Sequence, residues 1–275
     1  MKESAAMNLR SINFKDTYWS GEDNLIETFY IPCLNNSSFY DRAVGFFSSS
    51  ILNYICDGLF NFIKNNGKMR IICSTELSKS DIEKIQEGYD IRSIIEQSLA
   101  KQIEQILLDK DKPNVKNLCW LIKNNRLDIK ICLRNLSSSS NISDSTLFHE
   151  KFGIFRDNSN NIVSFLGSIN ESVSGWMFNE ESFEVSYNWE SILEKRVREK
   201  TERFEKLWSG TANEVMTYEF PQALKLALIS IAPEKPIDAL VHYAFNNSNH
   251  SDNFNPRQCQ LNAYKKFVES GYACM

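Results

Sequence analysis

The sequence lacks the features that mark several special classes of protein. It has no uninterrupted apolar run of roughly 18 residues, so no membrane-spanning helix is predicted. The first residues, Met-Lys-Glu-Ser-Ala-Ala-Met-Asn, lack the apolar segment typical of a secretory signal peptide. No Gly-x-x-x-x-Gly-Lys string is present, which excludes ATP hydrolysis through that phosphate-binding loop.

Cysteines are few and unpaired in pattern. The chain has seven, an odd number, and no Cys-x-x-Cys pair occurs. Several lie in apolar strings, as Cys73 does in Ile-Ile-Cys and Cys132 in Ile-Cys-Leu. The number and spacing of the cysteines argue against a disulfide framework and against a zinc site built from cysteines. We predict reduced core cysteines, a cytoplasmic location, and neither a metal nor a cofactor.

What is present is typical of a globular protein. The 275 residues are 42% hydrophobic and 24% charged, with a net charge of −4. An acidic chain is not a strongly basic, nonspecific coat for nucleic acid. Residues 101–134 carry eight Lys and Arg against four Asp and Glu, a local excess of four positive charges. That run favours a solvated helix face over a binding surface.

Apolar periodicity alternates between strand and helix patterns along the chain. Strands are predicted at 42–48, 68–73, 127–133, 147–155, 162–166 and 182–187, and helices at 50–66, 78–109, 113–124, 190–208 and 223–231. Ser78 or Ser80 is a suitable N-cap, and Asn66-Gly67 is a suitable helix end. A Ser/Asn/Asp run at 137–145 predicts a loop. The order of elements predicts an α/β sheet layered with helices.

The strongest chemical signal lies in Phe148-His-Glu-Lys-Phe. In a strand, residues i and i+2 share a face, so His149 and Lys151 are predicted to point the same way. A nucleophilic imidazole beside an ammonium group suits attack on a phosphodiester. Ser168 and Asn170 follow in Gly-Ser-Ile-Asn, where a hydroxyl, an amide and backbone N–H groups are predicted to hold phosphate oxygens.

This His-x-Lys followed by Gly-Ser and Asn resembles the signature of the phospholipase D superfamily. His149–Phe155, Phe165–Ser172 and Asn179–Val185 resemble the nuclease-like branch found N-terminal to DEAD/DEAH-type superfamily-two helicases. The likeness covers roughly residues 20–232. It implies a phospholipase D-like mixed β-sheet flanked by helices.

The resemblance also implies how the site works. The family mechanism uses two histidines, and this chain has one His-x-Lys, which implies a homodimer with the active site at its two-fold interface. Glu181 resembles the acidic residue that orients the histidine. The implied catalytic residues are His149, Lys151, Ser168, Asn170 and Glu181. Arg156 stands where the superfamily often has an aspartate; Asp157 comes one residue later, and that aspartate is usually structural. Glu171 and Ser172 are interpreted as helix-start residues, and Trp176 as core or interface.

The tail carries a second resemblance. Asn255–Ala263 fits the Arg-x-x-Gln-x-x-Ala pattern that opens superfamily-two helicase cores, where the glutamine, here Gln260, reads adenine. We predict a nuclease domain at 1–232, a linker at 233–253, and the start of a truncated helicase core at 254–275, the rest of that core being absent from this chain.

Together these features predict a metal-independent phosphodiesterase that cleaves nucleic acid, preferably DNA, through a phosphohistidine, in a nuclease-helicase protein of anti-phage defence. One alternative is a catalytically silent nucleic-acid-binding or dimerisation module. A lipid phosphodiesterase is another, although no membrane-binding helix is evident. A metal-dependent restriction-type nuclease is disfavoured because Glu-x-Lys is absent; Asp128-Ile-Lys130 is the nearest variant.

Overall fold

A single mixed β-sheet organises the chain. The structure, a computed structural model, describes residues 8–75, 77–87, 89–134 and 148–234. Within these ranges the sheet has eight strands in the order β1-β7-β6-β5-β2-β3-β4-β8. The strands are β1 Thr17–Trp19, β2 Phe39–Val44, β3 Lys68–Cys73, β4 Leu127–Arg134, β5 Phe152–Arg156, β6 Ile162–Gly167, β7 Ser182–Tyr187 and β8 Val215–Glu219. The predicted α/β sheet flanked by helices is confirmed.

The directions of the strands define the edge of the sheet at which the parallel strands β2, β3 and β4 end. β2, β3 and β4 run parallel to one another, and every other neighbouring pair in this sheet is antiparallel. β5 pairs with β2 from Phe39↔Arg156 to Ala43↔Phe152. The first residue of β5 therefore lies beside the carboxyl end of β2, the edge at which open α/β sheets commonly bind ligands.

Helices cover both faces of the sheet. They are α1 Ile31–Asn35, α2 Ile51–Tyr54, α3 Cys56–Lys64, α4 Lys79–Gln86, α5 Ile91–Leu108, α6 Pro113–Lys123, α7 Ser191–Ser209 and α8 Gln222–Ser230, with a 3-10 turn at Leu9–Ser11 and π-helical segments at Ile26–Tyr30 and Ser174–Phe178. α7 packs through Phe204 and Leu207 on a smaller core with Phe152 and Ile154. The larger core, on the opposite face, buries residues of α1, α3, α5 and α6.

Local sequence signals set several helix ends. Ser78 Oγ accepts from the Asp81 backbone N–H at 3.2 Å, and the Asp81 carboxylate accepts from the Ser78 N–H at 2.9 Å. This capping box satisfies two N–H groups that the first turn of α4 leaves free. Asn66 adopts a left-handed φ of 60° just after α3. Both predicted helix boundaries are confirmed.

An aromatic cluster lies within the larger core. Phe165 of β6 lies 5.2 Å from Phe29 and 5.3 Å from Phe183, measured between ring centroids. Trp176 stacks on Tyr30 at 4.4 Å. Edge-to-face and offset ring pairs are each worth about 0.5–1.5 kcal/mol beyond the area they bury. Trp176 is therefore a core residue, as predicted.

Several boundaries differ from the sequence prediction. β2 begins at Phe39 and ends at Val44, so the predicted strand 42–48 was placed too late. The predicted strand 147–155 was wrong over 148–151, because β5 begins only where its partner β2 is present, at Phe152. The helix predicted at 78–109 is divided between α4 and α5. β1 and β8 were not predicted.

Some predictions fall outside the described residues. These are the loop at 137–145, nearly all of the linker at 233–253 and the helicase-like segment at 254–275. The five cysteines within the described ranges are buried free thiols, as predicted. No helix in the described part of the chain is long and apolar enough to cross a membrane.

Candidate active site

Three of the five predicted site residues meet at one cavity. His149, Lys151 and Asn170 line a cavity of about 490 Å³ at the carboxyl edge of β2. Ser48, Ser49, Ser74 and Thr75 add hydroxyl groups to its wall. Leu99, Ile103 and Ile106 of α5 form an apolar wall. The cavity thus joins an imidazole, an ammonium group and an amide to a partly apolar groove.

Gly45 brings the three segments together. A Cβ atom at this position would lie 3.2 Å from the Phe148 carbonyl oxygen, 3.4 Å from Asn170 Oδ1 and 3.6 Å from Lys151 Nζ. The first two separations are at or inside the tight limit for real Cβ contacts. The glycine that follows β2 therefore allows the residues before β5 and after β6 to approach the same backbone.

Lys151 is half-buried beside His149. Its ammonium donates to the His149 carbonyl oxygen at 2.9 Å, while the His149 side chain is exposed. Burial lowers the pKa of Lys151, the charge of Glu181 raises it, and the charge of Arg42 lowers it further. The two residues precede the strand, so their proximity comes from this local hydrogen bond rather than from the predicted strand alternation.

Asn170 is held by a backbone group. Its Oδ1 accepts from the Phe46 N–H at 3.1 Å, which fixes the orientation of the side-chain amide. Because Oδ1 is occupied, the amide presents its Nδ2 donors, for which the described residues provide no recorded acceptor. The contribution of the Phe46 N–H was not predicted from the sequence, because the two residues are 124 positions apart.

Ser168 lies near the cavity but does not line it. Its hydroxyl is exposed and accepts from the Ser182 N–H at 3.2 Å. Its own N–H donates to the Ser182 carbonyl at 3.0 Å. These bonds extend the β6–β7 pairing by one residue, so the described structure gives Ser168 a role in joining the two strands. Its predicted contact with phosphate oxygens stays a prediction.

Glu181 is coupled to Lys151. Its carboxylate accepts from Asn179 Nδ2 at 3.2 Å, and its charge raises the pKa of Lys151. Its backbone N–H donates to Ser20 Oγ at 2.8 Å. Within one described chain the carboxylate makes no recorded hydrogen bond to His149. The orientation of the imidazole by Glu181 therefore stays a prediction.

Asp157 has the structural role implied for the aspartate near this position. Its carboxylate is buried and accepts from the N–H groups of Leu9, Ser159 and Asn161, at 3.1, 2.8 and 2.9 Å. It thereby closes the β5–β6 turn and attaches the N-terminal segment to it. Arg156 instead pairs loosely with Asp41, at 3.7 Å.

The two residues after Asn170, Glu171 and Ser172, have different roles. Ser172 Oγ accepts from the Gly175 N–H at 3.2 Å, so its predicted helix-start role is confirmed. For Glu171 that interpretation was wrong, because its carboxylate is buried against Arg42 at 2.9 Å. An arginine inside a largely buried strand, with a glutamate directly after the Asn170 motif, was the sequence signal for this pair.

The available donors suit an oxyanion. The Lys151 ammonium and the Asn170 amide are hydrogen-bond donors beside an exposed imidazole. Such donors stabilise negative charge that develops on phosphate oxygens during displacement at phosphorus. Across the described ranges, no three His, Cys, Asp or Glu side chains converge in a metal-ligating group.

Comparisons with known proteins give distant structural likenesses. No protein-family model and no curated protein matches the chain. It is similar to NucT from Helicobacter pylori, with 13% identity over 74% of this chain and 97% of that one, and a TM-score of 0.42. It is similar to Nuc from Salmonella typhimurium, a phospholipase D family member, with 13% identity, the same coverage and a TM-score of 0.38. Phosphatidylserine synthase from Haemophilus influenzae has 10% identity over 84% of this chain and 45% of its own, with a TM-score of 0.40.

Proposed function

We propose that the chain is a phosphodiesterase of the phospholipase D type that uses His149 as its nucleophile and needs no metal ion. The observation that carries this proposal is the meeting of His149, Lys151 and Asn170 at one cavity. The three side chains come from two segments separated by strands β5 and β6 and the turn between them, so their convergence is produced by the fold. A His-x-Lys pattern that arose by chance would not be expected to line the same cavity as the Asn170 amide.

The first step forms a covalent intermediate. A ring nitrogen of His149 attacks phosphorus, and a P–N bond forms as the bond to the leaving oxygen breaks. The non-bridging oxygens carry additional negative charge in the transition state. The Lys151 ammonium and the Asn170 Nδ2 group donate to them.

The two steps also need a separate group that acts as an acid in the first and as a base in the second. The leaving oxygen takes a proton from a second imidazole, which we assign to His149 of a second copy of the chain. Water then attacks phosphorus and gives its proton to that imidazole, and the P–N bond breaks. A homodimer with the site at its two-fold axis supplies both histidines.

We propose nucleic acid as the substrate, with DNA preferred. Support comes from the helicase-like tail and the nuclease-like motifs around His149. On the basis of the same resemblance, we propose that the chain works with a helicase core in a cytoplasmic anti-phage defence system. One observation favours a second candidate: the apolar α5 wall could accept the acyl part of a lipid phosphodiester.

The first test is cleavage in excess EDTA. Single- and double-stranded DNA, matched RNA and phospholipid vesicles are incubated with the wild type, His149→Ala and Lys151→Ala. Lys64→Ala is the matched control, because Lys64 is an exposed residue at the end of α3, beside the start of β3 and away from the cavity. We expect losses of about 10⁴-fold or more for His149→Ala and about 10²-fold for Lys151→Ala.

Each other outcome points to a different function. Cleavage that EDTA abolishes would contradict the metal-independent mechanism. Cleavage of vesicles but not of nucleic acid would favour the lipid phosphodiesterase. DNA binding without cleavage, in a wild type that is dimeric by light scattering, would favour the silent binding module.

A further inference from the structure

A buried ion pair lies directly beneath the candidate site. Arg42 of β2 and Glu171 are 0% and 1% exposed, and Arg42 Nε donates to Glu171 Oε2 at 2.9 Å. The Tyr40 hydroxyl donates to the same oxygen at 3.2 Å, and the Tyr30 hydroxyl donates to Oε1. The carboxylate therefore has donors on both oxygens although it is removed from water.

Stability alone is a weak reason for this arrangement. Burying two charges is costly, and apolar residues of similar volume often replace such a pair without loss of stability. Arg42 Nη1 is also buried without a hydrogen-bond partner in the described residues. A pair with an unsatisfied donor is poorly suited to being a stabilising device, so its position in the fold becomes informative.

The pair brackets Asn170. Arg42 Nη2 donates to the carbonyl oxygen of Ile169, the residue before Asn170, and Arg42 Nε binds the carboxylate of Glu171, the residue after it. The guanidinium also lies 4.8 Å above the Phe165 ring. Arg42 thus binds the residues on both sides of Asn170, through the backbone carbonyl of Ile169 and the side-chain carboxylate of Glu171.

The same segment is attached to the backbone that follows β2. The Glu171 N–H donates to the Phe46 carbonyl at 3.1 Å, and the Ser48 N–H donates to the Glu171 carbonyl at 2.9 Å. These bonds place the Phe46 N–H where Asn170 Oδ1 accepts from it. The charge of Arg42 also lowers the pKa of Lys151.

We propose that Arg42 and Glu171 are positioning residues, whose buried pair fixes the Asn170 amide and the Phe46–Ser48 backbone so that the amide donates to the reacting phosphate. This role rests on the proposed phosphodiesterase function. Neither residue touches the substrate. Displacement of a catalytic group by about 1 Å costs on the order of 10²-fold in rate, so loss of the pair should appear mainly in kcat.

Two readouts test the proposal. Glu171→Gln removes the charge and keeps the shape; Glu27→Gln is the matched control, because Glu27 is exposed and makes no recorded ion pair. We expect kcat on bis(p-nitrophenyl) phosphate in EDTA to fall by about tenfold to a hundredfold in Glu171→Gln, with KM within about twofold. Hydrogen exchange at Phe46–Ser48 should accelerate about tenfold, while exchange in β3 stays within about twofold.

The kinetic and hydrogen-exchange measurements distinguish the positioning role from the proposed phosphodiesterase function. A wild type that is inactive on the diester would contradict the proposed function, and the exchange experiment would still test the positioning role. Unchanged exchange at Phe46–Ser48 would overturn the inference. So would equal acceleration in β3, because the pair would then act only on global stability. If Glu171→Gln does not fold, Tyr30→Phe removes one donor to the carboxylate, and we expect the same pattern at about threefold.

Discussion

Gly167, the glycine of the Gly-Ser-Ile-Asn motif, can be tested directly by substitution with alanine. It ends β6 opposite Phe183 of β7. A Cβ atom there would lie 2.6 Å from both Cα and Cβ of Phe183, and closer still to the Ser182 carbonyl oxygen. Two of these atoms belong to the backbone, so a rotamer change cannot relieve the overlap. The end of β7 must move away from β6.

The expected cost follows from what that movement breaks. Overpacking in a tight site costs about 1–3 kcal/mol. Separation of the strands also weakens two hydrogen bonds, Ser168 N–H to Ser182 O at 3.0 Å and Ser182 N–H to Ser168 Oγ at 3.2 Å. Each contributes about 1 kcal/mol, and alanine recovers up to about 1 kcal/mol through the unfolded state. We expect Gly167→Ala to lower the free energy of unfolding by about 2–4 kcal/mol.

The measurement is urea unfolding followed by circular dichroism, with thermal melting alongside. Gly21→Ala is the matched control, because a Cβ atom at Gly21 has nothing within 4 Å. We expect the control to be unchanged or stabilised by up to about 1 kcal/mol. For Gly167→Ala we expect Tm to fall by about 5–15 °C. Equal unfolding midpoints for the two variants would show that the close approach of β6 and β7 does not require glycine.

Three further predictions follow from other residues. Burial and the charge of Arg42 lower the pKa of Lys151, whereas the charge of Glu181 raises it, and the net shift is downward. The alkaline decline of kcat should therefore lie below pH 10.5, the usual lysine pKa, and Glu181→Gln should move that decline to lower pH. A pH–rate profile that does not move in this variant would contradict the effect of Glu181 on Lys151. Asp157→Ala should lower the free energy of unfolding in urea by about 3 kcal/mol or more, because four N–H donors lose a buried acceptor. In the control Asp111→Ala the side chain is 89% exposed, and the free energy of unfolding should change by less than about 0.5 kcal/mol. Burial raises the pKa of Cys73 to about 12, so iodoacetamide at pH 8 should label it in urea and leave it unlabelled in the native protein; rapid native labelling would show that the cavity exposes the thiol.

Neighbouring residues were enough to predict much of the fold. β3 and β7 have the predicted limits, Lys68–Cys73 and Ser182–Tyr187, because each is a compact apolar or alternating run bounded by polar residues. α7 differs from its prediction by a single residue at each end, since its charged face and apolar stripe repeat with the helical period. These patterns are local and survive without knowledge of the partner elements.

The edge strands could not be predicted in this way. β1 has three residues and exists through its pairing with β7, at Tyr18↔Phe183. β8 has five residues, none of them buried, and is defined by its pairing with β4. A short, half-exposed strand has little intrinsic preference for extended structure, so its neighbour in the sheet decides its conformation.

For the candidate site, the sequence by itself determined which groups are candidates: His149, Lys151 and Asn170 were recognisable from residue type and spacing. Only the tertiary structure decided what holds them. The bond from the Phe46 N–H to Asn170 Oδ1 spans 124 residues, and the Arg42–Glu171 pair spans 129. The physical reason is that residue type and periodicity act between neighbours along the chain, whereas these contacts depend on the order of strands in the sheet. That order is set by packing of the whole core.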